Sequence, residues 1–340
     1  MTKQQYEKNL RTNLIMLESK IRTGGWRPRP SREVLIPKPQ GGWRPLAIGC
    51  LEDKIVQTVM AKILDALYEP LFNERSYGFR YKRSAHQAIA RLYGLISSRA
   101  GRCTVVEMDI EKFFNSMSHP KLMRMIERRV GDSHFLRLIQ RSLRNSILMA
   151  DGSLQVSERG SPQGSPVSPV LANIYLHHTL DLWFTEKWGA DADMVRYADD
   201  AVFVFSDRVK ADQFKRDLEE QLTTEGELRL NMDKSRAVRF SNLYAKGDIL
   251  FLGFTFFWGR TVSQTKILKV KTNPKRLGKS IQEFTTWIKK QRNRKKLDVL
   301  WKRAAARIQG HYNYYGVSFN QSKLRHFYQA CTRALFKWLN

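Results

Sequence analysis

The sequence predicts an α+β fold: an antiparallel sheet with helices on one face, followed by a basic helical segment. Three observations carry this prediction. Short β-prone apolar runs, from Thr104, from Met194 to Tyr197 and from Ala201 to Phe205, meet aspartates at their ends. Amphipathic stretches long enough for helices separate these runs in sequence. The last quarter of the chain then changes character. From Arg260 to Asn340 there are 20 Lys/Arg against two acids, Glu283 and Asp298, so two-thirds of the net +27 sits there.

At 340 residues and 42% hydrophobic, the chain is long enough for two or three subdomains. It has no run of 18 apolar residues, so neither a membrane span nor a membrane partner is expected. The start, MTKQQYEKNLRTNL, lacks the apolar core and cleavage site of a leader, and a cytoplasmic location is expected. Cys50, Cys103 and Cys331 are scattered and form no CxxC. That argues against a disulfide framework or a zinc site and for small buried hydrophobes. The charge points to a polyanionic partner, with nucleic acid the default.

Taken in order, Gln5 to Ile21 reads as a helix with Leu10, Leu14, Leu17 and Ile21 at helical spacing, ended by Gly24-Gly25. Val34 to Ile48 reads as strand, Gly-Gly turn, strand, with Lys38 and Arg44 flanking the turn. Those two are either solvated hairpin charges or a grip on a triphosphate, Arg by its fork and Lys as a point charge. Asp53 to Tyr68 is an amphipathic helix with Ile55, Val56, Val59, Ile63 and Leu67 predicted inward. Tyr77 to Arg80 forms a tight turn, and Ser84 caps a helix from Ala85 to Ser97. The strand ending in Asp109 is followed by Phe113, Phe114 and a turn, then by helices at Pro120 to Val130 and Ser133 to Ile147.

Arg159 to Asp181 places two Gly and three Pro in a short loop before a helix starting near Pro169. Such punctuation shapes backbone for close approach to a ligand. Lys210 to Leu222 is helical. Leu228 to Phe240 reads as turn plus strand, with Lys234 in the turn, and Ile249 to Phe257 as one apolar β-run. Basic helices follow at Pro274 to Arg292, Leu297 to Ile308 and Ser322 to Leu339, with a Gly-His-Tyr-Asn-Tyr-Tyr-Gly stretch (310–316) between the last two. Trp287, Trp301, Tyr312, Tyr314 and Tyr315 among these charges suit stacking on nucleic acid, or are simply the core of the bundle.

The organising stretch is Met194 to Phe203, MVRYADDAVF. Its two β-runs put Ala198-Asp199 at a hairpin tip, where two carboxylates leave an otherwise buried sheet. A turn that merely uses Asp for its geometry would look the same locally. Adjacent like charges, however, call for a cation, and Mg²⁺ is the hard ion that carboxylates and phosphates share. With Asp109 at a third strand end, Asp199 and Asp200 form a cluster able to hold two Mg²⁺ about 3.5–4 Å apart for in-line phosphoryl transfer. The backbone carbonyl of Ile110 is a further candidate ligand.

The blocks VLIPKPQGGWRPLAI, SYGFRYKRSAHQAI, MDIEKFFNSMSH, SPQGSPVSPVLANIYL, RYADD, NMDKSRAV and FLGF resemble, in order, those of the group II intron-encoded reverse transcriptase/maturase family. IQGHYNYYG resembles the start of its maturase-specific segment. YADD alone is modestly specific; seven blocks in order from Val34 to Phe257 are highly so. A departure is Ile48-Gly49, where the family has Ile-Pro.

The resemblance implies a right-hand polymerase fold: a short N-terminal extension (1–33), fingers and palm (34–257) and a basic helical thumb or maturase-specific segment (258–340). No separate endonuclease domain is expected. It implies an RNA-directed DNA polymerase, a nucleotidyltransferase using two Mg²⁺ with Mn²⁺ as substitute, and a maturase role in intron splicing. A domesticated enzyme of CRISPR spacer acquisition or phage defence, or an RNA-binding maturase with no need of polymerase activity, are the alternatives. The implied partners are an RNA template, a DNA or RNA primer, dNTPs, its own intron RNA and a protein supplying nuclease or integrase activity. By position in the blocks, Asp109, Asp199 and Asp200 are catalytic, with Ile110 joining them at the metal. Lys38, Arg44, Gln163 and Phe114 (a steric gate against ribose) face the dNTP. Arg80, Gly164, Tyr197, Lys234, Leu252, Gly253, Phe254, Lys289, Lys290 and Arg292 face primer and template.

Overall fold

A computed structural model describes residues 2–37, 42–99, 102–242 and 247–339, without the side chain of Arg44. Helices α1 (Lys3–Lys8) and α2 (Leu10–Arg22) precede a hairpin, β1 (Ser31–Pro37) and β2 (Trp43–Ile48). Helices α3 (Leu51–Tyr68) and α4 (Ala85–Ser98) follow. The start of α4 is a capping box, with Ser84 accepting from the Gln87 amide and the Gln87 side chain accepting from the Ser84 amide. Next come β3 (Arg102–Met108), α5 (Phe113–Ser116), α6 (His119–Glu127), α7 (Ser133–Leu143), β4 (Ser146–Leu148) and β5 (Leu154–Val156). Helix α8 (Ser168–Leu176) runs through a π-turn at His177–Asp181 into α9 (Leu182–Lys187). Then follow β6 (Ala192–Tyr197), β7 (Asp200–Phe205), α10 (Arg208–Thr224), β8 (Ala237–Ser241), β9 (Ile249–Phe251), β10 (Phe254–Arg260) and β11 (Lys266–Thr272). Three helices close the chain: α11 (Pro274–Gln291), α12 (Leu297–Tyr315) and α13 (Gln321–Leu339).

The central sheet has the antiparallel order β6-β7-β3-β8. One of its faces, with Val106, Met108, Met194, Phe203 and Phe205, packs on α8 to α10. There Phe214 of α10 lies 4.5 Å from Phe203 and 5.1 Å from Phe205, ring to ring. The other face, with Val105, Val195, Val202, Val204 and Phe240, packs on α4 and on the second sheet, β11-β10-β9. The expected helices are therefore present, but the opposite face is covered too. Burial on both sides is why Ala201 to Phe205 reads as a continuous apolar run rather than an alternating one. The third sheet, β2-β1-β4-β5, carries the N-terminal hairpin.

Several local expectations change. In α3 the buried stripe is Val56, Met60, Leu64 and Tyr68, while Val59, Ile63 and Leu67 are exposed. Both stripes have helical spacing, so periodicity could not choose between them. In α2, Leu17 is buried but Leu10 and Leu14 are exposed. Residues 249–257 are two strands folded on each other about Leu252-Gly253, not one run. The Gly-His-Tyr-Asn-Tyr-Tyr stretch lies inside α12, which Gly316 ends. The last three helices share their own core of Leu277, Phe284, Ile288, Leu300, Phe327 and Leu335. Tyr312 and Trp287 pack against it, whereas Trp301 stays 57% exposed. Cys103 and Cys331 are buried, Cys50 is half-buried, and all three are free thiols. No helix among the described residues is long and apolar enough to cross a membrane.

Candidate active site

Sheet register assembles the carboxylates. Met108 of β3 pairs with Ala201 of β7, so Asp109 leaves β3 next to Asp200 at the start of β7, close enough for its charge to act on the Asp200 carboxyl. Tyr197 pairs with Asp200, which leaves Ala198 and Asp199 as a two-residue turn. Ala198 has φ +57°, a left-handed conformation costing a non-glycine residue about 1–2 kcal/mol.

That turn is held from beneath. Arg196 is fully buried, and its Nη1 donates to the Ala198 carbonyl (3.0 Å) and to Asn173 Oδ1 (3.2 Å). Its Nε and Nη2 donate to the two oxygens of Asp181 (2.8 and 2.5 Å), the last residue of the π-turn and itself fully buried. Asn173 Nδ2 in turn donates to the Gly78 carbonyl (2.8 Å). Gly78 lies flat on the turn, and a Cβ there would come within 2.3 Å of the Ala198 nitrogen. Gly78→Ala must therefore push the hairpin tip aside. In the polymerase that the sequence blocks imply, its kcat should fall about 10²-fold, the usual cost of a misplacement near 1 Å, with primer–template affinity unchanged. An unchanged kcat in steady-state extension assays would show that the tip tolerates displacement.

The segment after Asp109 pairs with residues 229–231. Glu111 N donates to Arg229 O (2.9 Å) and Asn231 N to Asp109 O (2.8 Å), so Ile110 and Leu230 face each other without bonds of their own. The Ile110 carbonyl accordingly points to the other side of the strand, toward the hairpin. Asp109 Oδ2 accepts from Asn231 Nδ2 (3.0 Å) and Lys234 Nζ (3.1 Å). Lys234 thus pairs with Asp109 at the edge of the cluster.

Burial pushes the Asp200 carboxyl up to about 7; Asp199 adds to this, the Leu252 amide bonded to it opposes it, and Asp109 and Glu107 raise it further. The donor set is carboxylate and carbonyl oxygen throughout, which suits a hard divalent cation, and the crowding of negative charge is what such a cation relieves. Among the described residues no three carboxylate, imidazole or thiol groups close on a single point. A divalent cation would compete with the Lys234 ammonium for Asp109.

Beside the cluster lies a row of aromatics. The half-buried Phe114 ring is 6.4 Å from Phe79, and Phe79 is 6.3 Å from Tyr197. Phe79, 48% exposed with φ +58°, is a site residue that sequence reasoning misses, since nothing in a Tyr-Gly-Phe-Arg turn announces a ring facing the site. The Arg159–Ser168 loop closes this side. Ser161 N donates to Phe114 O (2.7 Å), Gln163 Nε2 to Asn115 Oδ1 (3.4 Å) and Ala47 N of β2 to Gln163 O (2.9 Å). Gly164, at φ +106°, leaves a Cβ only 3.1 Å from Ala47 O. Phe114, Gln163, Gly164 and β2 are thereby brought together. Lys38 and the side chain of Arg44 lie outside the described residues.

On the other side, Leu252 and Gly253 form a two-residue turn with both φ positive, +50° and +79°. Leu252 offers its amide to Asp200 and its carbonyl to Tyr314 Oη (3.0 Å), and the Tyr314 ring stacks on Phe254. Arg80 requires a correction. It is 9% exposed; Nε and Nη2 engage Glu69, and Nη1 engages the Asn73 and Ser76 carbonyls. No donor remains for a phosphate, so Arg80 pins its loop instead of meeting primer or template. Lys289, Lys290 and Arg292 are exposed at the end of α11, the first and last of them over the Trp338 ring at 5.2 and 4.9 Å.

An antiparallel palm sheet with paired aspartates at one hairpin tip and a third at the neighbouring strand end defines a template-directed polymerase palm. Residues 36–256 match the family described as reverse transcriptase (RNA-dependent DNA polymerase), and the chain belongs to that family. Its members use divalent metal ions. The chain is 30% identical to Protein YkfC of Escherichia coli over 69% of its own length and 70% of YkfC. It is 35% identical to the group II intron-encoded protein LtrA of Lactococcus lactis over 46% of its length and 26% of LtrA. A protein in a cob intron of Schizosaccharomyces pombe is 42% identical over 44% of this chain, which spans 18% of that protein. Among solved structures, telomerase from Candida tropicalis superposes with TM-score 0.57 at 13% identity, over 92% of this chain and 58% of telomerase, a likeness of fold.

Proposed function

We propose that the chain is an RNA-directed DNA polymerase of the group II intron type, extending a primer on an RNA template. The observation that carries this reading is the register that sets Asp109 beside Asp200 with Asp199 at the adjoining tip. Asp109, Asp199, Asp200 and the Ile110 carbonyl would hold Mg²⁺, with Mn²⁺ as a substitute. Bound there, such ions would lower the pKa of the primer 3′-hydroxyl and offset the charge of the phosphate being transferred. Phe114 abuts the sugar of the incoming nucleotide, and Gln163 lies against its base or the template. Leu252 and Gly253 carry the primer end, and the basic end of α11, with Lys289, Lys290 and Arg292, carries the duplex backbone; Phe254, fully buried beneath the Tyr314 ring, backs that turn instead of meeting primer or template. In this reading residues 1–33, 34–257 and 258–340 are extension, fingers with palm, and thumb, in a cytoplasmic protein that also binds its own intron RNA.

The test is extension of a primer annealed to RNA, with dNTPs or rNTPs, in Mg²⁺ or EDTA. Mg²⁺-dependent DNA product is expected; tight RNA binding without product on any template would leave only the maturase role. Within this assay Phe114→Ala should raise rNTP incorporation relative to dNTP by about tenfold or more, the scale on which one snug apolar wall discriminates. Efficient rNTP use by the wild type would remove Phe114 from that role.

A further inference from the structure

We infer a second nucleic-acid contact, remote in sequence from the carboxylates: a cleft between the end of α2 and α7 that takes a backbone phosphate of RNA. The cleft, about 330 Å³, is lined by Arg22, Thr23, Gly24, His134, Arg137 and Arg141. Its walls are built. His134 Nε2 bonds the Ile21 carbonyl (2.7 Å), tying α7 to the last turn of α2. Arg141 Nη1 donates to the Gly24 and Trp26 carbonyls (2.9 and 3.0 Å), and Arg27 Nη1 donates to the same two (3.0 Å or less). Two guanidinium groups are thereby fixed on one turn, with donors left over on each.

No carboxylate answers them. Among the described residues, Arg22, Arg27, Arg137 and Arg141 enter no ion pair. Asp132, which caps α7, is bonded to the His134 and Phe135 amides (2.7 and 3.0 Å). Glu18, one turn before Arg22 on α2, is exposed and likewise outside every ion pair. Burial, together with the charges of Arg27 and Arg137, holds the Arg141 guanidinium below its ordinary value, as expected of cations gathered without a counter-ion. Guanidinium forks match phosphate better than any point charge. That the phosphate belongs to RNA rests on the polymerase reading above.

Arg22 and Arg137 are exposed and, among the described residues, bond to no protein group, so Arg22→Gln/Arg137→Gln in the full chain should fold as the wild type does. Binding of a labelled single-stranded RNA, followed by fluorescence anisotropy from about 50 to 300 mM KCl, reads the contact. The slope of log K against log[KCl] should shrink by about 0.7 for each phosphate no longer neutralised. Lys215→Gln/Arg216→Gln on α10, an equal change of charge elsewhere, should leave the slope as it was. Wild-type slope and affinity in Arg22→Gln/Arg137→Gln, or an equal loss in the α10 control, would overturn the site. A wild-type slope accompanied by a melting temperature that inorganic phosphate raises only in the unsubstituted chain would assign the cleft to free phosphate and overturn the RNA reading. Binding is read without catalysis, so its failure is distinct from failure of primer extension, which a short primer–template should still support in Arg22→Gln/Arg137→Gln.

Discussion

Asp200→Asn is expected to lower RNA-templated extension by about 10³-fold or more and, in EDTA at pH 8, to raise the melting temperature. Charge stabilisation at a metal–carboxylate centre is worth several kcal/mol, and each 1.36 kcal/mol is tenfold in rate. The stability effect has the opposite sign for an electrostatic reason. The Asp200 carboxyl titrates near 7 in the folded chain, because burial and Asp199 oppose its charge. Unfolded, it titrates near 4. Between those values the folded chain binds more protons than the unfolded one, so this group's contribution falls as pH rises from about 4 to 7. Asparagine has no charge to lose and still accepts from the Leu252 amide. The variant's advantage in EDTA should therefore grow from pH 5 to pH 8 and vanish below pH 4. Mg²⁺ should then raise the melting temperature of the wild type alone. A variant that melts lower at pH 8 would mark Asp200 as a structural group.

Arg196→Met should cost about 3–5 kcal/mol of stability, the usual result of leaving one partner of a buried ion pair alone. Here the partner is Asp181, with no exposure to solvent. Arg196→Met/Asp181→Leu removes both charges and should recover most of the stability. Extension should stay impaired, since the Ala198 carbonyl still lacks the donor that sets the tip. Urea melts and dNTP titrations, read as kcat separately from KM, distinguish the two roles. Full activity in the double variant would show that the pair supports the fold without positioning the hairpin.

Much of this was legible because it is local. The β-runs, the aspartates at their ends, the Ser84 cap and the punctuated loop at Arg159 each depend on a few neighbouring residues. What could not be read depends on distance along the chain or on backbone sign. Arg196 stands out in an apolar strand and demands a partner, yet nothing local chooses Asp181 fifteen residues earlier. Phe79 and Leu252 owe their positions to positive φ, which composition does not encode for residues other than glycine. Arg80 sits in a basic loop beside Lys82 and Arg83, and its place in the blocks implies a primer or template contact; only the fold reveals Glu69 beneath it. Residues 249–257 looked continuous because the turn consists of one apolar residue and one glycine.

The doubly buried strand β7 has a consequence for how such a protein can change over generations. Val202 and Val204 belong to one core, Phe203 and Phe205 to the other, and the strand begins with Asp200. It has no idle side on which neutral variation could accumulate. A change of volume at any one of these positions needs a compensating change in α10, or in α4 and the second sheet, before it is tolerated. Drift along the strand should therefore be concerted, and the Asp199–Asp200 hairpin would be constrained by its packing as well as by its chemistry.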